Sequence, residues 1–351
     1  MANNSYVKVV SWNINGCGNP VKRKKVLLYL KHKQTDLAFI QETHLKDDEA
    51  KNFKRDWVGQ VYYSSFSSKK NGVLILVHKR LNLSVVKESK DDNGRIICLE
   101  TIINGTQLTL CNIYAPNKGD PSFFHEVNSI IGNAQGQVIL AGDFNQVLDG
   151  VLDKSKLLGT RTSTPKDRAA IHSLIEDNGL IDVWRLVNPR NREYSFYSHC
   201  HKSYSRIDII LISQNLINDV IDSNINAMFL SDHAPVELCI NIQSDRLRRG
   251  RWRMNTSLLH DEVFNNELAA DLSSFFEINM GSTDRVAMVW EASKAYVRGK
   301  IIAQSSKKKR ENINAIKKLE TELSEMEREL ARQYSDSLFN NISSEERRVG
   351  K

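Results

Sequence analysis

Five places in this sequence end an apolar run with residues that can bind a metal, move a proton or hold a phosphate. Ser11-Trp12-Asn13-Ile14-Asn15 follows the run 7–10 and leads into Gly16 and Gly18, so two amides stand where a strand should turn into a loop. Gln41-Glu42-Thr43 ends the run 37–40, and a carboxylate in that place is a hard oxygen ligand suited to a divalent cation. Asn112-Ile113-Tyr114-Ala115-Pro116 sets a phenol at a strand end closed by proline. In Ala141-Gly142-Asp143-Phe144-Asn145 the glycine permits a close backbone approach to a ligand, while Asp143 and Asn145, two apart in an extended segment, point the same way. A carboxylate that accepts a proton beside an amide that orients an attacking oxygen forms a hydrolytic pair. The fifth place joins Arg206-Ile207-Asp208 to Ser231-Asp232-His233-Ala234-Pro235. There Asp232 beside His233 can fix an imidazole tautomer and hold its charged form. Taken singly, asparagines at a turn are turn chemistry and a tyrosine at a strand end is a core residue with a wet hydroxyl.

Rigid strands aim such side chains and the following loops leave them open to substrate, so the elements matter next. β-rich runs recur at 6–12, 37–41, 73–78, 96–103, 108–114, 138–141, 207–212 and 236–242, several near-continuously apolar as strands packed on both faces are. Amphipathic helical stretches lie at 22–32, 122–133 and 167–178. The pattern predicts an α/β chain, in form an α+β four-layer sandwich: two packed mixed β-sheets flanked by helices, followed by a helical C-terminal extension. No period of 20–50 residues points to a solenoid.

All six prolines and thirteen of the seventeen glycines precede residue 244, so turn chemistry stops there. The seam divides a domain over 1–243 from an arginine-rich linker and helical extension over 244–351. At the seam Arg246, Arg248, Arg249, Arg251 and Arg253 gather around Trp252, a composition that can pair with phosphates and stack on bases. Helices are expected at 288–302 and 307–334. In the second, Ile316, Leu319, Leu323, Met326 and Leu330 keep one stripe, which makes 307–334 a candidate short coiled coil or a face for further sequence.

At 351 residues, 40% hydrophobic and 26% charged, the chain can bury a real core and exceeds a single mid-sized domain. It has no run of 18 apolar residues and no secretory leader, so the expected setting is nuclear or cytoplasmic, with no membrane partner. Cys17, Cys98, Cys111, Cys200 and Cys239 lie apart with no C-x-x-C pair, which argues for reduced thiols rather than a disulfide framework or zinc ribbon. His199-Cys200-His201 alternate faces on a strand and do not read as a metal cluster. A net charge of +7, from 49 Lys+Arg against 42 Asp+Glu, permits a nucleic-acid partner without demanding one.

Read in order, W-N-x-N-G, Q-E-T, N-x-Y-A-P, G-D-F-N, R-I-D and S-D-H-A-P resemble the endonuclease/exonuclease/phosphatase superfamily over residues 6–242. Within it, S-W-N-I-N-G, I-Q-E-T-H-L, E-Y-S-F-Y-S ahead of S-Y-S-R-I-D, and R-G-R-W-R-M-N look most like the apurinic-like endonuclease domain of LINE (non-LTR) retrotransposon open reading frame 2 proteins. The resemblance implies a Mg²⁺-dependent enzyme, with Mn²⁺ as an alternative ion, in which Glu42 binds the metal with Asn13 nearby. It implies that Asp143 deprotonates or orients the attacking water, Asn145 holds that water and the phosphate, and Asp208 stands near the leaving oxygen. Tyr114 would touch the scissile phosphate, and His233, oriented by Asp232, would bind a non-bridging oxygen. Asn15, Ser195, Ser231 and the seam arginines would meet the DNA, and 199–203 would be a hairpin entering its groove. Hydrolysis would leave 3′-hydroxyl and 5′-phosphate ends, and the nick would prime reverse transcription of element RNA.

Double-stranded DNA is thus the implied partner and element RNA a second one, with the tail expected to pack against downstream sequence or a second copy. No Y-x-D-D string occurs, so a nuclease fragment or a decayed element copy is expected. Repair enzymes of the superfamily often carry aspartate where Asn15 stands. That departure, with the seam, weighs against the rival reading of an abasic-site repair endonuclease of the exonuclease III kind. A lipid or sphingomyelin phosphatase leaves the groove hairpin and arginines without purpose, and the rival of another class is a catalytically inactive nucleic-acid-binding fragment.

Overall fold

The computed structural model describes residues 6–155, 165–242, 256–280 and 286–332. In chain order its elements are β1 (Val7–Asn13), α1 (Pro20–His32), β2 (Leu37–Gln41), α2 (Asp47–Asp56), β3 (Gly59–Ser64), β4 (Val73–His78), β5 (Leu83–Lys90), β6 (Ile96–Ile103) and β7 (Thr106–Tyr114). They continue as α3 (Pro121–Gly132), β8 (Gln137–Asp143), α4 (Pro165–Asp177), β9 (Leu180–Asp182), α5 (Val183–Val187), β10 (Phe196–Ser198), β11 (Ser203–Ser205), β12 (Asp208–Ser213), β13 (Val220–Ile225) and β14 (Val236–Ile240). Helices α6 (Glu262–Asn279) and α7 (Val286–Arg332) follow.

Alternation along each strand explains the layers. Val7 and Val9 of β1, Leu37 and Phe39 of β2, and Val73, Ile75 and Val77 of β4 share one apolar cluster with Ile139 and Ala141 of β8 and Ile210 and Ile212 of β12. That cluster lies between two sheets, ordered β13-β14-β1-β2-β4-β3 and β5-β6-β7-β8-β12-β9. The intervening residues Val10, Trp12, Ala38, Ile40, Leu74 and Leu76 face outward and pack on α1 and α2. Val138, Leu140, Ile209 and Leu211 face the other way and pack on α3 and α4. Strands buried on both faces are apolar at most positions, so the two mixed sheets are closed in by helices as the four-layer sandwich requires. Truncating a fully buried Trp12 or Phe39 should cost about 3–5 kcal/mol.

Helices α1 and α3 start the same way. Asn19 and Asp120 accept the N–H two residues on, from Val21 and Ser122, and a proline opens the first turn. The edge strand β5 carries Lys87, Glu88 and Lys90 and a register shift between Val85 and Lys87, both of which blunt an edge against pairing with another chain. Its exposed polar positions are also why no apolar run marked it in advance.

Cys98 of β6 and Cys111 of β7 are register partners that meet across the two strands, a proximity their spacing did not reveal, and Cys17, Cys200 and Cys239 lie apart. One expectation needs correcting. Helices expected at 288–302 and 307–334 are parts of the one helix α7, because 303–306 hold no proline or glycine to interrupt it.

The chain divides into two compact units, Met1–Asp245 with Leu319–Lys351, and Arg246–Lys318. The second has a small core of Leu258, Phe264 and Ile301, and Phe275 stacks on Tyr296 with ring centres 5.0 Å apart. In the first, Leu323 is fully buried in the cluster under α1 and Met326 packs against it, so two positions of the predicted stripe are covered within the chain itself. Among the described residues no helix is long and apolar enough to cross a membrane.

Candidate active site

Two parallel pairings bring the chemistry to one edge of the sandwich. Strand β1 runs parallel to β2 with Asn13 opposite Gln41, so the loops after both leave together. They remain zipped by backbone bonds from Ile14 to Gln41, Gly16 to Glu42 and Cys17 to Thr43. Strand β7 runs parallel to β8 with Tyr114 opposite Asp143, and β12 pairs antiparallel to β8 with Asp208 opposite the same Asp143. Register partners share a face, so Tyr114, Asp143 and Asp208 form one row across three strands of the second sheet.

Asn13 links the sheets. Its amide nitrogen donates to Oε1 of Glu42 at 2.9 Å and to Oδ2 of Asp143 at 2.9 Å, while its oxygen accepts from the Asn15 backbone at 3.0 Å. Glu42 also faces Nε2 of His44 at 3.3 Å. Burial would raise the Glu42 pKa, but hydrogen bonds from His44, Asn13 and Tyr114 outweigh it and lower it to about 2. Asp143 is buried; its Oδ1 accepts the Asn145 N–H at 2.8 Å. Burial drives the Asp143 pKa upward, His233 opposes this and Asp208 adds to it. His233 lies with Nδ1 2.8 Å from Oδ2 of Asp208 and Nε2 3.8 Å from Oδ2 of Asp143, against the ring of Phe196. Burial would depress its pKa, but Asp208 and then Asp143 outweigh that and hold it at about 10, so the imidazole is a cation at neutral pH.

Backbone strain gathers at the same edge. Asn15, Glu42, His44 and Asn145 are non-glycine residues with φ of 43°, 50°, 52° and 50°. Such conformations persist where the surroundings over-determine them, and here hydrogen bonds do so: Asn145 Nδ2 reaches the Ala115 carbonyl at 2.8 Å.

The geometry redistributes several roles. The carboxylate that holds His233 is Asp208, not the neighbouring Asp232, because side chains adjacent in sequence diverge. Asp232 instead accepts from Asn15 Nδ2 at 3.1 Å and from the Ser231 hydroxyl at 3.2 Å. Asp208 spends Oδ2 on His233, and its buried Oδ1 has no hydrogen-bond partner. Ser195 does not reach the surface: it is fully buried, and its hydroxyl accepts the N–H groups of Ile207 and Asp208 at 3.1 and 3.0 Å, which aims Asp208. Gly142 serves strand packing rather than a ligand, since a Cβ there would meet the Ile113 carbonyl at 2.0 Å. Tyr114 is buried with its hydroxyl donating to Asn117 Oδ1 at 3.1 Å and Arg95 4.9 Å from its ring centre. The 199–202 stretch is the exposed tip of the β10–β11 hairpin. Arg246, Arg248, Arg249, Arg251 and Arg253 lie outside the described residues.

Sequence reasoning missed His44, Asn117, Arg95 and Lys22, whose Nζ donates to the Asn15 carbonyl at 3.0 Å. His44 alone had a readable signal, standing two residues beyond Glu42 in a segment already singled out. Asp143, Asp208 and His233 offer ligand atoms all within 4.8 Å of one another, a grouping that could hold a metal ion.

Residues 10–233 match the endonuclease/exonuclease/phosphatase family. The chain belongs to this family of hydrolytic enzymes. Its fold is that of the family's solved members: an AP endonuclease from Leishmania major aligns with a TM-score of 0.57 and 21% identity over 68% of this chain and 88% of that one. A Neisseria 3′ phosphatase bound to a product DNA hairpin aligns at 0.55 and 21% over 67% and 100%. Among curated proteins, an uncharacterized 149 kDa protein of transposon TX1 from Xenopus laevis is 29% identical over 74% of this chain, which spans only 20% of that relative. A Bacillus subtilis exodeoxyribonuclease is 27% identical over 67% of this chain and all of its own length.

Proposed function

We propose that the chain is a divalent-metal-dependent DNA endonuclease that nicks duplex DNA as in target-primed reverse transcription by a LINE element, with Mg²⁺ as the ion and Mn²⁺ able to replace it. The observation that carries the reading is the meeting of Glu42, Asn13, Asp143, Asn145, Asp208 and His233 at one strand-end edge. The donor set fits a hard cation: carboxylate and amide oxygens, an ionised Glu42 and a buried Asp208 oxygen with no partner. Glu42 and Asn13 would hold the ion. When bound, it neutralises charge on the phosphate undergoing hydrolysis.

The chain's own residues supply the rest. Asp143, its pKa raised toward neutrality, accepts a proton from the attacking water, and Asn145 beside it orients that water. The His233 cation, aimed by Asp208, stabilises a non-bridging phosphate oxygen. A bond forms from the water oxygen to phosphorus as the bond from phosphorus to the 3′-oxygen of the preceding nucleotide breaks; that oxygen leaves and takes up a proton as a 3′-hydroxyl, while the bond to the 5′-oxygen of the following nucleotide stays intact and leaves a 5′-phosphate. The β10–β11 hairpin enters the groove, and the arginines at 246–253 contact backbone phosphates, so replacing them with glutamine should flatten the salt dependence of DNA binding.

The second reading, an abasic-site endonuclease, has the solved AP endonucleases in its favour. Against it, Asn15 donates to Asp232, and an aspartate in its place would set two carboxylates together. Rates on an abasic duplex and an intact T-rich duplex separate the two. Comparable rates, or faster nicking of the intact duplex, support the retroelement reading; a large abasic preference overturns it.

A further inference from the structure

The loop 226–235 carries Asp232 and His233, and its two ends are tied by bonds from Asn226 to the Pro235 carbonyl, at 2.9 Å from the backbone and 3.3 Å from the side-chain amide. Its middle is tied elsewhere. Glu327, near the end of α7, accepts the Met228 N–H at 2.8 Å. Leu323, one turn earlier, is fully buried in the cluster that contains Ala227, Met228 and Phe229. Phe229 in turn packs on Trp12 and Tyr29, with ring centres 5.3 and 4.8 Å away, and Trp12 Nε1 donates to the His233 carbonyl at 3.0 Å. Lys33 at the end of α1 completes the tie: its ammonium donates to Glu320 of α7 and to Asn226, each at 3.0 Å. All of these residues belong to the first compact unit. The matched family region ends at residue 233, so Glu320, Leu323 and Glu327 stand outside it.

We propose that residues 319–332 are a positioning element of the nuclease site: they clamp the 226–235 loop through Leu323 and Glu327 and so hold His233 where Asp208 and the phosphate need it. The inference rests on the nuclease reading above. The 232–234 end of the loop is also held by the hairpin, through the Tyr197 N–H to the Asp232 carbonyl at 3.1 Å and the Ala234 N–H to the Ser195 carbonyl at 2.7 Å, so releasing 227–229 leaves the hairpin in place for substrate binding but lets the imidazole shift in the transition state. Misplacement of that kind acts on kcat rather than KM.

The test uses the full chain and three variants: Leu323→Ala, Glu327→Ala and Glu327→Gln, the last keeping an amide oxygen for the Met228 N–H. Hydrogen exchange followed by mass spectrometry reads the loop directly, and thermal melts confirm folding at the assay temperature. Expected are faster exchange over 226–234 in Leu323→Ala and Glu327→Ala, a ~10-fold fall in kcat for plasmid nicking with KM unchanged, and near wild-type values in Glu327→Gln. Unchanged exchange in both alanine variants overturns the clamp. Faster exchange with kcat unchanged, or a fall in KM-dependent binding alone, overturns its role in positioning. A wild-type chain that nicks nothing overturns the nuclease reading instead, and the exchange data still decide whether the clamp exists.

Discussion

Two clusters of buried charge sit in the same domain and differ in balance. In the first, Arg206 lies against Asp153 at 2.8 Å and Asp182 at 2.7 Å, and Arg185 reaches Asp153 at 2.6 Å. Two cations meet two anions. In the second, the three carboxylates of Glu42, Asp143 and Asp208 face the imidazoles of His233 and His44. Carboxylates here outnumber cations, and their repulsion raises the Asp143 pKa further. A balanced cluster can close on itself and serve the fold, whereas an excess of anion leaves a site that a cation and a phosphate can complete.

Breaking each cluster should therefore have opposite consequences. Asp143→Ala or His233→Ala should lower the nicking rate by ~10³-fold or more with little loss of stability, read by plasmid nicking beside thermal melts. Asp153→Ala, which strands Arg185 and leaves Arg206 with Asp182 alone, should cost about 3–5 kcal/mol of stability in denaturant titrations. If it were instead the Asp153 change that spared the fold and the His233 change that unfolded it, the distinction between the clusters would be lost.

Smaller effects sharpen the contrast. Glu42→Gln should raise the Mg²⁺ concentration for half-maximal nicking by about 10-fold or more, since one anionic donor becomes neutral. An unchanged metal requirement would remove Glu42 from the metal site. Asp208→Asn should shift the alkaline limb of the residual pH–rate profile to lower pH by about one unit or more. The sign follows from the cause: Asp208 is the strongest influence raising the His233 pKa, so without it the cation is lost earlier as pH rises. A limb that stays in place would mean that His233 does not need its charge.

Much of this architecture was readable because its strands are buried on both faces: β2, β4 and β6 stand at 37–41, 73–78 and 96–103, where near-continuous apolar runs predict them. Strands with wet faces, β5 and β13, and the three-residue β10 and β11 leave no such trace. The site shows the same division. Glu42, Asp143 and His233 stand out because polar residues closing apolar runs are conspicuous. Their partners are set by register and burial, which a linear reading cannot see: Asp208 comes beside His233 from 25 residues away, and Arg206 meets Asp153 across 53. Asp232 and Ser195 misled for that reason, one by being adjacent and the other by looking exposed.

The proposed function makes the unbalanced cluster a metal-dependent phosphodiesterase centre. Incubating supercoiled plasmid with the wild-type chain in Mg²⁺, and again with the metal chelated, tests it most directly. Expected are open circles only with the metal, bearing 3′-hydroxyl ends that a polymerase extends without further treatment. No nicking with any divalent ion, or equal nicking after chelation, would contradict it.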